Sequence, residues 1–295
     1  MLKPPLQPML LTDLEKPFNS DDFIFEIKWD GYRSLVFTEN KDVYLQSRNQ
    51  KDLTPYFPEL KKVYQQVNSK RAILDGEICY LNEEGKPVFE FLQGRIWKKY
   101  DKKEKIKYPV SLVIWDLLAF ENEDIYKLPL IERKKYLKEI VRPDKNLYLS
   151  PYIKREGKQL YKSAAAEGLE GIIAKKIDSP YEFKRSKYWY KIKIWQYTET
   201  FIAGYSLDRT GLVVGKFKDN NFIHMGKIKL ALSKEEEEAL FRFLPSIKIE
   251  KSPFQEEPQI SNVNWVKPSI KCRVRFTEIT GNETFRHGYV IKLLV

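Results

Sequence analysis

The sequence predicts an α+β chain: a largely antiparallel sheet region followed by a small five-strand barrel. Three observations carry this expectation. Strand-like runs, β-branched and aromatic with apolar alternation, occur at 23–29, 34–38, 72–80, 110–116, 171–175 and 188–195. The helical patterns among them, 58–67 with Leu60, Val63, Tyr64 and Val67 on one face and 128–141 between prolines, follow no regular strand–helix alternation. After about residue 197 the character changes to short strands at 200–206, 212–218, 222–230, 271–279 and 287–294 around one helix. That helix opens with Ser233 and Glu236 at capping-box spacing and stops at Pro245. Domains are therefore expected at 1–197 and 198–295, with 246–264 a connecting loop and the Lys-rich 98–107 an exposed one.

The chain has 295 residues, 42% of them hydrophobic, with 52 Lys and Arg against 41 Asp and Glu, a formal charge of +11. This is a globular composition, and no apolar run approaches the ~18 residues needed to cross a bilayer. Prolines and charges interrupt the opening MLKPPLQPMLLTDLEKP, unlike a secretory signal, so a cytoplasmic protein without a membrane partner is expected. Cys79, Cys272, His224 and His287 fit no zinc spacing, and no disulfide framework is expected. The basic balance and 14% aromatic residues suit a partner with a phosphate backbone.

Two familiar nucleotide cradles are excluded. Gly211-Leu-Val-Val-Gly215-Lys216 has one residue too few between its glycines, and Phe217 stands where a Walker loop needs Ser or Thr; it reads as a hairpin turn. No GxGxxG occurs. In Phe23-Ile-Phe-Glu-Ile-Lys-Trp-Asp-Gly-Tyr-Arg33, period-2 alternation puts Glu26, Lys28 and Asp30 on one polar strand face beside a turn at Asp30-Gly31. On its own that is a solvated charge ladder. In Arg185-Ser-Lys-Tyr-Trp-Tyr-Lys-Ile-Lys-Ile-Trp195, Trp189, Lys191, Lys193 and Trp195 share a face, and two neighbouring like charges repel unless an anion lies between them.

In order along the chain come Lys28-x-Asp30-Gly31-x-Arg33, Ser47-Arg48-Asn49, Asp75-Gly76-Glu77, Trp115-Asp116-Leu117-Leu118, Glu170-Gly171-Ile-Ile-Ala-Lys175 and Trp189-x-Lys191-x-Lys193. This series resembles the serial motifs of the ATP-dependent DNA ligases within the covalent nucleotidyltransferase superfamily. Phe91-Leu-Gln93-Gly-Arg95 and Arg185-Ser-x-x-Trp-x-Lys-Ile-Lys bring the resemblance nearest to the bacterial LigD-type ligase domain. It implies a nucleotidyltransferase (adenylylation) domain followed by an OB-fold, sealing 5′-phosphate/3′-hydroxyl nicks in repair or end joining.

By that resemblance Lys28 is the nucleophile that takes AMP from ATP. Glu26 lies beside adenine, Trp115 stacks on it, and Glu77 binds the ribose. Arg33, Arg48, Arg185, Lys191 and Lys193 hold ribose and phosphate oxygens, and Glu170 places Mg2+ or Mn2+. Arg48 and Arg95 are also expected to touch the nicked strand. A row of Lys271, Arg273 and Arg275 on one strand face is expected to track DNA phosphates or to guard a sheet edge with charge. Phe285-Arg286-His287 matches the start of the related Phe-Arg-His-Pro ending, with Gly288 in place of proline, which makes Arg286 the candidate to orient pyrophosphate.

The chemistry poses an electrostatic problem. An ordinary lysine amine, with a pKa near 10.4, is neutral in only about one molecule in 2,500 at pH 7. The site must import positive charge, for which the metal, Lys191 and Lys193 are the candidates. Nicked double-stranded DNA is the expected partner, with a monomer acting alone or beside a Ku-like end-binding protein. An RNA ligase or a GTP-using capping guanylyltransferase would share the Lys28 chemistry. A nick-binding protein with a defective first step is the rival from another class.

Overall fold

The computed structural model describes residues 1–96, 106–219 and 221–294, so most of the 98–107 stretch lies outside the described residues. The chain divides into two units, Met1–Ile194 and Trp195–Val295. Strands of the first are β1 (Leu10–Asp13), β2 (Ser20–Ile27), β3 (Tyr32–Glu39), β4 (Asp42–Ser47), β5 (Arg71–Cys79), β6 (Ser111–Phe120), β7 (Glu123–Asp124), β8 (Leu147–Leu149), β9 (Tyr152–Arg155), β10 (Gly171–Lys176) and β11 (Arg185–Lys193). Its α-helices are α1 (Glu90–Gln93), α2 (Leu130–Ile140) and α3 (Gly157–Ala166).

The strands form two sheets, ordered β1-β11-β10-β2-β9 and β4-β3-β5-β6-β7, with β8 added beside β6. Pairing is antiparallel except for β1–β11 and β6–β8. Ile24, Leu35, Ile73, Trp115 and Trp189, drawn from both sheets, pack into one cluster. Phe25, Ile172 and Ile192 pack with Ala164 of α3 in a second cluster. The middle of β2, residues 24–26, is thus buried on both faces, and of the expected polar face Glu26 is buried while Lys28 and Asp30 are half-buried. Each Leu or Ile removed from water in these layers contributes about 1.5–3 kcal/mol.

The segment expected to be helical at 58–67 is a 3-10 helix, Pro58–Gln66. Its three-residue turn aligns Leu60 and Val63, which are buried, while Tyr64 is only half-buried. The sequence patterns above do not indicate α1, α3, β1, β4, β7, β8 or β9. Among the described residues no helix is long and apolar enough to cross a membrane.

The second unit contains β12 (Gln196–Ser206), β13 (Leu212–Lys218), β14 (Asn221–Leu230), α4 (Lys234–Phe243), β15 (Val263–Trp265), β16 (Lys271–Phe276), β17 (Glu278–Ile279), β18 (Phe285–Arg286) and β19 (Tyr289–Leu294). Neighbours run β13-β14-β19-β16-β12, and a β12–β13 pairing closes the ring, with β15 added on β12. A closed five-strand barrel with a helix between its third and fourth strands is the OB-fold. The capping box is present: Glu236 N donates to Ser233 Oγ at 3.2 Å, and Ser233 N donates to Glu236 Oε2 at 2.9 Å. Gly211 does lie at the turn before β13, but Gly215 is inside that strand, where a Cβ would meet Phe254 Cε1 at 2.5 Å.

One buried ion pair fastens α2 to the sheet. Arg133 donates from Nε to Asp116 Oδ1 at 2.9 Å and from Nη2 to Oδ2 at 2.7 Å, with both side chains fully buried. Asp116→Ala strands the guanidinium in the core and is expected to cost about 3–5 kcal/mol, lowering the calorimetric midpoint by on the order of 10 °C. The double variant D116L/R133M is expected to regain most of that loss.

Candidate active site

Lys28 follows the last residue of β2 and heads the turn into β3, so it is not a strand residue as expected. The turn needs Gly31, since a Cβ there would lie 2.2 Å from Ile78 O. The backbone N–H of Lys28 donates to Gly171 O at 2.9 Å. Gly171 has φ +153°, and a Cβ on it would lie 2.3 Å from Ile192 O. Close approach of β2, β10 and β11 therefore sets the main chain on which Lys28 and Glu170 stand.

Lys28 Nζ donates to Glu170 Oε2 in a short contact, and Lys193 Nζ lies 3.4 Å from Glu170 Oε1. Lys191 Nζ lies 3.2 Å from Asp13 Oδ1. The anion demanded by the two like charges on β11 is thus supplied twice, by a carboxylate for each lysine. Burial holds the Lys193 amine below its usual range, reinforced by Lys28 and Lys191 and opposed by Glu170.

Glu77 on β5 is half-buried. Burial pushes its carboxyl up to about 8, reinforced by Asp30 and Glu170 and opposed by Lys28 and Arg33. Arg33 is clamped by Asp75, donating from Nε to Oδ1 at 3.1 Å and from Nη2 to Oδ2 at 2.7 Å. Tyr181 Oη donates to Asp75 Oδ2 at 2.8 Å and accepts from Met9 N at 3.0 Å.

Trp115 owes its direction to a bulge. Asp75 pairs with Asp116 and Gly76 with Ile114, which leaves Trp115 as the extra residue of β6. Its ring centroid lies 5.5 Å from the Arg33 guanidinium and 5.0 Å from Lys175 Nζ. Its buried Nε1 has no hydrogen-bond partner among the described residues.

Glu26, 2% exposed, takes two lysines: Lys134 Nζ at 2.7 Å from Oε1 and Lys175 Nζ at 2.8 Å from Oε2. Ser150 Oγ donates to Oε2 at 3.2 Å, and Trp29 Nε1 donates to Ser150 Oγ at 3.0 Å. Burial works to raise the Glu26 carboxyl, but Lys134 and Lys175 outweigh it and hold the group below its ordinary value. Burial lowers Lys175 to about 8, with Lys134 reinforcing it and Glu26 opposing it.

Hydrogen bonds, ion pairs and ring contacts therefore join Lys28, Glu170 and Lys193 in one group, and Glu26, Trp115 and Arg33 in another. Arg48 stands exposed in the turn after β4, and Arg185 is exposed at the start of β11, donating to Leu11 O. Arg95 is not presented outward. It donates to Glu59 at 2.6 and 3.0 Å, to Tyr108 O at 3.2 Å and to Tyr56 O at 3.0 Å, with its guanidinium 5.0 Å from the Phe57 ring. These contacts engage the guanidinium inside the fold and make it a fastener of the 53–66 segment.

In the second unit Lys271 and Arg273 are exposed and Arg275 is half-buried along β16. Lys271 Nζ lies 2.5 Å from Glu199 Oε2, Arg273 lies over Tyr197, and Arg275 lies 4.6 Å from the Trp195 ring and 5.4 Å from that of Tyr289. Arg286 Nη1 donates to Glu278 Oε1 at 2.7 Å.

Lys134, Lys175, Asp75 and Tyr181 were not singled out as site residues. A signal for Lys134 exists: with Leu130, Arg133 and Leu137 it lies on the buried stripe of α2, where cations need partners.

The raised Glu77 carboxyl has a sign that can be checked. Folding favours its protonated form, so stability is full below the unfolded value of 4.5 and is lost as pH rises toward about 8. Glu77→Gln is expected to melt higher than wild type above pH 8, by on the order of 5 °C, and close to wild type at pH 4. Thermal melts across that range measure the gap.

Two family models match the chain. The ATP dependent DNA ligase domain matches residues 8–193, and the ATP dependent DNA ligase C terminal region matches 208–293. The chain is 29% identical over 297 residues to the multifunctional non-homologous end joining protein LigD of Pseudomonas aeruginosa, covering 96% of this chain and 34% of that protein. It is 31% identical over 202 residues to the SPbeta prophage-derived DNA ligase-like protein LigB of Bacillus subtilis, covering 68% of this chain and 72% of that protein. The solved structure of mycobacterial DNA ligase D complexed with ATP and MES matches with a TM-score of 0.60 at 27% identity, covering 98% of this chain and 95% of that one. The chain thus spans about a third of the length of the Pseudomonas relative. With a nucleotidyltransferase unit followed by an OB-fold, it belongs to the ATP-dependent DNA ligase family and is of LigD-like type.

Proposed function

We propose that this chain seals 5′-phosphate/3′-hydroxyl nicks in double-stranded DNA through an AMP carried on Lys28. The reading rests on the Lys28–Glu170–Lys193 group, in which one carboxylate is shared between the Lys28 amine and a second cation. In the first step the Lys28 amine forms a bond to the α-phosphorus of ATP while the bond to pyrophosphate breaks. AMP then passes to the 5′-phosphate of the nick, and the 3′-hydroxyl displaces it.

The residues present fit a hard divalent cation. Among the described residues no three His, Cys, Asp or Glu side chains could cage a metal. Glu170 offers a carboxylate oxygen that suits Mg2+ or Mn2+ completed by water and substrate phosphates. Such an ion neutralises charge developing on the phosphates. Glu170 would hold it and so be drawn away from Lys28, while Lys193 and Lys191 repel a proton on that amine and meet the phosphate oxygens.

Around the nucleotide, Trp115 stacks on adenine, Glu26 faces the base, Glu77 accepts from the ribose hydroxyls, and Arg33, Arg48 and Arg185 serve ribose and phosphate. The Lys271, Arg273 and Arg275 row meets the DNA backbone, and Arg286 orients pyrophosphate. Arg95 is left out of this set because Glu59 engages it. The P. aeruginosa relative is named for non-homologous end joining; we extend that setting to this chain, as a cytoplasmic monomer working beside a Ku-like end-binding protein.

Labelled ATP with Mg2+ is expected to label wild type, and Lys28→Ala is expected to abolish labelling while leaving the melting midpoint nearly unchanged. Labelling by GTP in preference to ATP, or sealing of nicked RNA in preference to nicked DNA, would contradict the proposal. So would sealing of neither a plain nick nor a pre-adenylylated one.

A second expectation follows from the basic row. Reversing none of the fold but removing three cations, K271A/R273A/R275A is expected to weaken binding to nicked DNA and to reduce the slope of log affinity against log salt by about 2–3, measured by titration at several salt concentrations. An unchanged slope would remove these residues from the DNA surface.

A further inference from the structure

Glu26 and Trp115, the two residues read above as meeting the base, are held by the same two cations. Lys134 Nζ lies 2.7 Å from Glu26 Oε1 and donates to Trp115 O at 2.9 Å. Lys175 Nζ donates to Glu26 Oε2 at 2.8 Å and lies 5.0 Å from the Trp115 ring centroid. The lysines come from α2 and β10, so separate elements converge on one carboxylate. Both their side chains are 5% exposed or less.

One lysine would neutralise Glu26; a second buried ammonium adds a desolvation cost that neutrality does not require. What two cations achieve is a carboxylate ion-paired at both oxygens, its rotation restricted and its carboxyl held below the ordinary value. Ser150 adds a third donor, and Trp29, the neighbour of Lys28, fixes Ser150 in turn. Each carboxylate oxygen has about two lone pairs, so Oε1 retains capacity for a further donor.

An ionised carboxylate in a dry site accepts from an exocyclic amino group and repels a carbonyl oxygen. Protonated, it could donate to that carbonyl, and the selection would reverse. We propose that Lys134 and Lys175 are positioning residues that hold Glu26 as a fixed anionic acceptor, and so make the site choose a 6-aminopurine triphosphate over a 6-oxopurine one. The proposal rests on the adenylylation reading and adds to it the groups that set base choice.

The test compares ATP with ITP, which replaces the 6-amino group by a carbonyl and adds no 2-amino group. Covalent labelling of wild type, Lys134→Met, Lys175→Met and Lys134→Arg is followed with each nucleotide over a range of concentrations. Wild type is expected to prefer ATP by about 100-fold or more. Each Met variant is expected to lower that ratio by about tenfold, chiefly through KM, and K134R to restore most of it. Either Met variant retains one lysine for Glu26, and K175M carries the test if K134M does not fold. Equal loss of labelling with both nucleotides, leaving the ratio unchanged, would make the lysines merely structural and overturn the inference. Equal use of ATP and ITP by wild type would also overturn it. No labelling of wild type by either nucleotide is a different result, which defeats the adenylylation reading itself.

Discussion

Glu170 lies between Lys28 and Lys193, and Glu26 between Lys134 and Lys175. In both places a poorly exposed carboxylate is shared by two lysines from separate parts of the first unit, and each charge is tolerable because the others are there. Removing water from an ion costs several kcal/mol even after relaxation, so strands that carry such groups inward must bring partners with them. That requirement fixes which residues of β2, β10, β11 and α2 stand together. It also leaves each of the two groups with two lysines to one carboxylate.

The backbone serves the same constraint. Gly171 and Gly31 allow approaches that a Cβ would block at 2.3 and 2.2 Å, and those approaches hold Lys28 against the start of β10, which Glu170 immediately precedes. The bulge in β6 sends Trp115 inward, and the Asp116–Arg133 pair next to it anchors α2, the helix that delivers Lys134. Support and chemistry alternate along one stretch of chain: Trp115 faces the candidate base site and Asp116 holds the helix.

Much of this was legible in the sequence because group transfer uses short stretches in which residue type and order are both constrained. Lys28, Glu77, Glu170, Lys191 and Lys193 could be named from such stretches, and the barrel strands from their alternation. Lys175 closes one of those stretches but has no role that its spacing reveals, and Lys134 shows only as a lysine on the apolar stripe of α2; that both meet Glu26 is a matter of three-dimensional packing. Helix α3 escaped notice because Gly157-Lys-Gln-Leu-Tyr-Lys-Ser-Ala-Ala-Ala166 has a thin apolar stripe. The partner of Arg95 was hidden as well, because Glu59, distant in sequence, takes both of its terminal nitrogens.

On the proposed reading, the nucleotide takes over charge contacts that the protein makes with itself. A crystal structure with Mg2+ and an ATP analogue that cannot lose pyrophosphate tests this most directly. The account predicts Glu170 withdrawn from Lys28, the amine of Lys28 in line with the α-phosphate, and the 6-amino group at Glu26. A nucleotide bound elsewhere, or one bound here with the Lys28–Glu170 pair still closed, would contradict it.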